Sequence, residues 1–212
     1  MRVLVADDHA LFREGLEQIL ADHPDITVAA KASSGPEVLD LVARHEFDLL
    51  LLDIAMPGMS GLDVLKQVRS LKPRLRVLML SMYPEEQYAV RAIKAGALGY
   101  LTKQSASGEL IEAIRKVSAG LTYISSSIAD RLLVDPQPDD GRPLHEKLSD
   151  REYQIFCLIA RGRPVSRIAQ DLSLSVKTVS THRVHILEKM RMETNAELTS
   201  YALKHNLVNL TD

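Results

Sequence analysis

Four leucines in a row, Leu49-Leu50-Leu51-Leu52, run into Asp53, and Pro57, Gly58 and Gly61 follow. An unbroken apolar run of this length, closed by a Pro/Gly turn, fits a strand covered on both faces, as at the centre of a parallel sheet. A second run, Val3-Leu4-Val5-Ala6, ends on Asp7-Asp8. Open α/β sheets place their ligands beyond the carboxyl ends of their strands. Two such strands predict three carboxylates at one edge. Carboxylates gathered there need a cation, and hard oxygen ligands suit Mg²⁺.

The surrounding pattern supports that sheet. Apolar runs at 3–6, 26–30, 49–52, 77–80 and 98–101 alternate with amphipathic stretches at 10–21, 35–44, 61–70, 85–95 and 107–119. The alternation predicts an α/β doubly wound, five-stranded parallel sheet with helices on both faces. Ser81 ends the fourth strand and Lys103 follows the fifth, so both fall on the carboxyl edge with the acids. A hydroxyl and an ammonium beside three carboxylates make poor packing but suit a transferred phosphoryl group. The hydroxyl donates to one phosphoryl oxygen, the lysine neutralises another, and the metal takes a third. Asp53 is then the nucleophile. Asp7 or Asp8 can equally cap the following helix, but Pro57 and Gly61 separate Asp53 from the next helix and leave it without that simpler role.

The first domain is expected over 1–121, a linker over 122–146 and a second domain over 147–212. The stretch Asp135-Pro136-Gln137-Pro138-Asp139-Asp140-Gly141-Arg142-Pro143 has no apolar period and reads as a semi-rigid, solvated tether. Beyond it the pattern is helical. Ser149-x-x-Glu152 and Thr194-x-x-Glu197 are capping boxes, and Gly162 stops the first of these helices. A short helix near 165–172, a Ser173-Leu174-Ser175 turn and a longer helix to about Arg191 make a helix-turn-helix. In the longer helix, Val179, Ile186, Leu187 and Met190 recur at core spacing. Lys177, Ser180, Thr181 and Arg183 are left for an outer face that can enter a major groove. His182 and His185 lie three apart, but no cysteine or carboxylate completes a zinc set.

Charge is permissive for nucleic acid rather than diagnostic. The whole chain carries −2, yet residues 148–212 hold 9 basic against 7 acidic groups, while residues 1–121 hold 14 against 16. No apolar run approaches the roughly 18 residues of a membrane span, and no signal peptide opens the chain. The single cysteine, Cys157, sits among Ile155, Phe156, Leu158 and Ile159 and reads as a buried apolar residue in a cytoplasmic protein.

Taken together, Asp7-Asp8, Asp53, Pro57-Gly58, Ser81 and Gly99-Tyr100-Leu101-Thr102-Lys103 resemble the flavodoxin-like receiver domain of two-component response regulators. Leu148-Ser149-x-Arg151-Glu152, Ile168-Ala169-x-x-Leu172, Thr178-Val179-x-x-His182 and Lys189-Met190 resemble the LuxR-type helix-turn-helix. Together they resemble the NarL/FixJ class. The resemblance implies that a sensor histidine kinase phosphorylates Asp53 in a Mg²⁺-dependent step. Asp8, Asp53 and the Ala55 carbonyl would ligate the metal, with Asp7 acting through water. Ser81, which stands where threonine is common, would contact the phosphoryl group with Lys103, and Tyr100 would change rotamer. Thr178 and His182 join Lys177, Ser180, Thr181 and Arg183 as expected contacts to promoter DNA. Leu198 and Ala202 of the last helix are the expected homodimer surface, and RNA polymerase is a further expected partner. A receiver assists its own phosphorylation but is not a turnover enzyme. A hydrolase of the haloacid-dehalogenase type would need an acid two residues after the nucleophile, where this chain has Ala55.

Overall fold

The computed structural model describes residues 1–133 and 143–208. Five strands, β1 (Arg2–Ala6), β2 (Thr27–Ala32), β3 (Leu49–Asp53), β4 (Arg76–Ser81) and β5 (Gly99–Thr102), form one sheet in the order β2-β1-β3-β4-β5. Every pairing is parallel. Five helices connect and follow them: α1 (Ala10–Ala21), α2 (Gly35–Arg44), α3 (Gly61–Leu71), α4 (Glu85–Lys94) and α5 (Ser107–Ser118). The doubly wound sheet expected from the sequence is the one observed.

Side-chain alternation divides each strand between two cores. Val3, Val5, Leu49, Leu51, Leu78, Leu80 and Leu101 pack with Leu16 and Leu20 of α1 and with Leu110, Ile114 and Val117 of α5. The intervening Leu4, Leu50, Leu52, Val77 and Met79 are equally buried and point to the opposite face. This two-sided burial explains why β3 is apolar at every position before Asp53. The edge strand β2 is only partly buried and correspondingly carries Lys31.

The chain continues in α6 (Ser126–Leu133), a 3₁₀ turn (Leu144–Lys147), α7 (Asp150–Ala160), α8 (Val165–Asp171), α9 (Val176–Met190) and α10 (Asn195–Lys204). Both predicted capping boxes form, Ser149 with Glu152 and Thr194 with Glu197. Ser175 caps α9 by accepting from the Thr178 N–H at 3.0 Å.

Contacts divide the chain into two compact units, Met1–Leu132 and Leu133–Asp212. The linker expected from residue 122 therefore begins too early. Tyr123 bridges to the edge of β5, its N–H donating to Leu98 O at 2.8 Å and its carbonyl accepting from Tyr100 N at 3.1 Å. Ile128 of α6 is buried, and Arg131 donates to the Glu86 carbonyl at 2.9 Å. At the other end, His145 lies within the second unit, its Nδ1 3.0 Å from the Tyr201 hydroxyl. The Pro/Asp-rich stretch at 135–142 lies outside the described residues.

Candidate functional sites: an acidic pocket and an exposed helix

Strand register builds the pocket. Ala6 pairs with Leu52, so Asp7 and Asp53 emerge together at the junction of β1 and β3. This is where the strand order reverses direction, the position at which doubly wound sheets open a crevice. Ser81 pairs with Thr102 across β4 and β5, and Lys103 follows. Ligating atoms of Asp7, Asp8, His9 and Asp53 all lie within 4.8 Å of one another. Lys103 Nζ reaches 2.6 Å from Asp7 Oδ2 and 3.0 Å from Asp53 Oδ2, and stands 4.8 Å from the centre of the Phe12 ring. The start of α3 presses on the same backbone. A Cβ on Gly61 would lie 1.9 Å from the Asp53 carbonyl oxygen, so no other residue fits there without displacing β3.

Asp7, Asp53 and Lys103 are almost completely buried. Burial pushes the Asp53 carboxyl up to about 6. The Lys103 ammonium pulls it down, Asp7 pushes it up, and the Ala55 N–H pulls it down. Neither Asp53 oxygen, nor Asp7 Oδ2 or Asp8 Oδ1, completes a hydrogen bond of ordinary geometry. The Lys103 ammonium lies against Asp7 and Asp53 instead, and the His9 ring stands 2.8 Å from Asp8 Oδ1. One ammonium against three carboxylates leaves negative charge under-compensated in a largely dry site. An all-oxygen donor set with spare lone pairs fits a hard divalent cation.

Ser81 and Tyr100 are both buried and grip the same residue. The Ser81 hydroxyl accepts from the Tyr83 N–H at 3.0 Å, and the Tyr100 hydroxyl donates to the Tyr83 carbonyl at 2.8 Å. Burial holds the Tyr100 phenol well above its ordinary range. Glu85, at the start of α4, accepts from the Ser125 N–H at 2.9 Å. The loop after Ser81 is thereby tied to β5 and to the chain beyond α5.

In the second unit, α9 buries Val179, Ile186, Leu187 and Met190, as its periodicity predicts. Lys177, Thr178, Ser180 and Thr181 are exposed. Two other expected DNA contacts are less open. His182 is half-buried, and burial lowers its pKa. Arg183 is also half-buried, and its Nε donates to Asn195 Oδ1 at 2.7 Å. Leu198 and Ala202, expected on a dimer surface, are both fully buried in the unit's own core. Their spacing marks an apolar face, and α10 turns that face onto α7.

The chain matches the response regulator receiver domain over residues 3–115 and the luxR family of bacterial regulatory proteins over residues 146–202. It belongs to the two-component response regulators that carry a LuxR-type DNA-binding domain. Full-length relatives agree. The response regulator GacA of Pseudomonas aeruginosa is 37% identical over 210 residues, covering 99% of this chain and 98% of that one. The oxygen regulatory protein NreC of Staphylococcus epidermidis is 37% identical over 216 residues, covering 98% and 99%. RcsB from Salmonella enterica serovar Typhimurium, solved bound to promoter rprA in the presence of phosphomimetic BeF3⁻, shares the fold at TM-score 0.64 and 22% identity, covering 95% and 98%. This response regulator is a transcription regulator of the NarL/FixJ class rather than a turnover enzyme.

The sequence reading of this response regulator missed three groups around the pocket. His9 stands at the mouth, and its only sequence signal is its place directly after Asp7-Asp8. Tyr83 is the residue on which Ser81 and Tyr100 converge, which depends on the path of a loop. Gly61 marks the turn before α3 in the sequence, but its close approach to Asp53 depends on how α3 packs on β3.

Proposed function

We propose that Asp53 is the phosphoryl acceptor of this response regulator and that α9 carries the switched output to promoter DNA. The observation that carries the proposal is a buried Asp53 with under-compensated oxygens, level with Asp7 and in contact with the Lys103 ammonium. A sensor histidine kinase would supply the phosphoryl group from a phosphohistidine. An Asp53 carboxylate oxygen bonds to phosphorus as the phosphorus–nitrogen bond breaks, and the electron pair returns to the imidazole, which takes a proton. Asp8, Asp53 and the Ala55 carbonyl would hold Mg²⁺, with Asp7 acting through water. A bound Mg²⁺ supplies positive charge against the phosphoryl oxygens.

Lys103, whose Nζ lies 3.0 Å from Asp53 Oδ2, would neutralise one phosphoryl oxygen. Ser81 would turn its hydroxyl toward another and release the Tyr83 N–H. Tyr100 holds the carbonyl of the same residue, so its contact changes with the loop. A local charge thus biases a two-state segment. At α9, Lys177, Thr178, Ser180 and Thr181 would face the groove, while Arg183 and His182 support the helix from its flank. A homodimer would use the outer side of α10, which leaves Leu203 partly exposed. No helix among the described residues is long and apolar enough to cross a membrane, which is compatible with action in the cytoplasm. RNA polymerase would be the partner downstream of DNA binding.

Intact-mass spectrometry after incubation with acetyl phosphate tests the acceptor. The wild-type chain should gain one phosphoryl adduct only when Mg²⁺ is present, and Asp53→Asn should gain none. An adduct of equal yield on Asp53→Asn would refute the assignment.

A further inference from the structure

Two valines lie open on the face of α9 that carries the exposed polar residues. Val176 is 52% exposed and Val184 is 48% exposed. They flank Ser180 at intervals of four, so Val176, Ser180 and Val184 form one row along the helix. Thr181 stands beside that row, and its hydroxyl is spent within the helix, donating to the Lys177 carbonyl at 3.0 Å. Thr178 likewise shares its hydroxyl with Ser175 at 2.7 Å. The outer face of α9 therefore combines two aliphatic groups, Val176 and Val184, with the exposed polar side chains Lys177, Ser180 and His185. Arg183 is half-buried, and its Nε is held by Asn195 at 2.7 Å, which fixes its guanidinium at the flank of the helix. His185, one turn beyond Thr181, and Glu188, one turn beyond Val184, are the next exposed side chains along α9.

A scattered exposed valine needs no explanation. Two in one row are different when they lie on the face proposed to read bases. Thymine is the base that presents a methyl group in the major groove, and apolar side chains recognise it there. We infer that Val184 is a specificity-determining residue that packs on a thymine C5-methyl group in the major groove, with Val176 and Thr181 extending the apolar contact. The inference rests on α9 binding promoter DNA as proposed above. It assigns this regulator a thymine preference at the position facing Val184, where an arginine or lysine would select guanine.

The test uses the full chain incubated with acetyl phosphate and Mg²⁺. Sites are selected from a pool of randomised DNA duplexes, and each thymine of the enriched sequence is then replaced singly by deoxyuridine, which lacks only the methyl. Burial of one methyl-sized group predicts about a 3- to 10-fold loss of affinity at one discrete position for the wild type. Val184→Ala should bind the thymine site about as weakly as the wild type binds the deoxyuridine site, and should no longer distinguish the two. Val184→Ile, which keeps the branched methyls, should retain the discrimination. Val184 is half-exposed, and alanine is a better helix former, so unchanged circular dichroism is expected of the alanine variant. An enriched site at which no deoxyuridine replacement matters, or at which Val184→Ala discriminates as well as the wild type, would refute the inference and leave DNA binding standing. Failure to enrich any sequence would overturn the DNA-binding reading and this inference with it.

Discussion

The carboxyl of Asp53 is buried beside Asp7 and Lys103 and is pushed up to about 6, above its ordinary value of 3.8, chiefly by burial. The folded chain holds this proton more tightly than the unfolded chain does. The stability that Asp53 contributes is therefore fully present below about pH 3.8, and it is lost as the pH rises through about 6. Above that range the metal-free fold carries an opposed charge. Asp53→Asn should stabilise the metal-free chain by about 1–3 kcal/mol at pH 7.5, with the difference from wild type shrinking between pH 6 and 4. Urea unfolding in EDTA at the two pH values measures this, and a pH-independent difference would contradict it. Added Mg²⁺ should raise the wild-type midpoint and leave that of the Asn variant nearly unmoved, since binding stabilises only the state that binds. Gly61→Ala should cost at least about 2 kcal/mol in the same assay, because its Cβ cannot coexist with the Asp53 carbonyl. It should also slow phosphorylation, because relieving that clash moves the acceptor.

Among the elements, α7 is held at its start by a small network. Ser149 and Glu152 cap each other's backbone, and Lys189 of α9 places its Nζ 2.8 and 2.6 Å from the two Glu152 oxygens. Burial works against the Glu152 carboxylate, but the bonds from Lys189 and Ser149 outweigh it and hold the pKa below the ordinary value of 4.5. Its contribution is present above about pH 4.5 and lost as the pH falls below that. Glu152→Gln should thus destabilise the second unit by about 1–2 kcal/mol at pH 7 and by less at pH 3.5, followed by thermal unfolding; equal losses at both pH values would count against the pairing. The segment from Tyr123 to Leu133 offers a second element-scale test. A receiver ending at residue 133 should be more stable than one ending at 121, since the shorter one loses the β5 bridge and the buried Ile128. This segment was hidden in the sequence. Its eight-residue helix is too short for its period to stand out beside a Pro/Asp-rich neighbour, and its stability comes from tertiary contacts. By contrast, β3 was plain because a strand covered on both faces reads as an unbroken apolar run.

For the whole molecule, two units with separate cores are joined as one chain, and each was legible to a different depth. The acidic pocket could be read because sheet topology sends strand ends to one edge, so Asp7, Asp53, Ser81 and Lys103 converge without knowledge of any side-chain path. The output helix could be placed but not mapped, because periodicity shows which face is apolar and not what covers it. Leu198 and Ala202 pack into their own unit's core, and neither that packing nor the bond from Arg183 to Asn195 leaves a signal in the sequence. The central claim is that charge placed on Asp53 in one unit changes DNA binding by the other. It is tested most directly by titrating the same selected duplex with the full chain before and after acetyl phosphate treatment, with Asp53→Asn in parallel at equal salt. Phosphorylation should tighten wild-type binding by about tenfold or more, a coupling of roughly 1.4 kcal/mol, and leave Asp53→Asn unchanged. Equal affinity of the two wild-type forms, at confirmed phosphoryl occupancy, would contradict it.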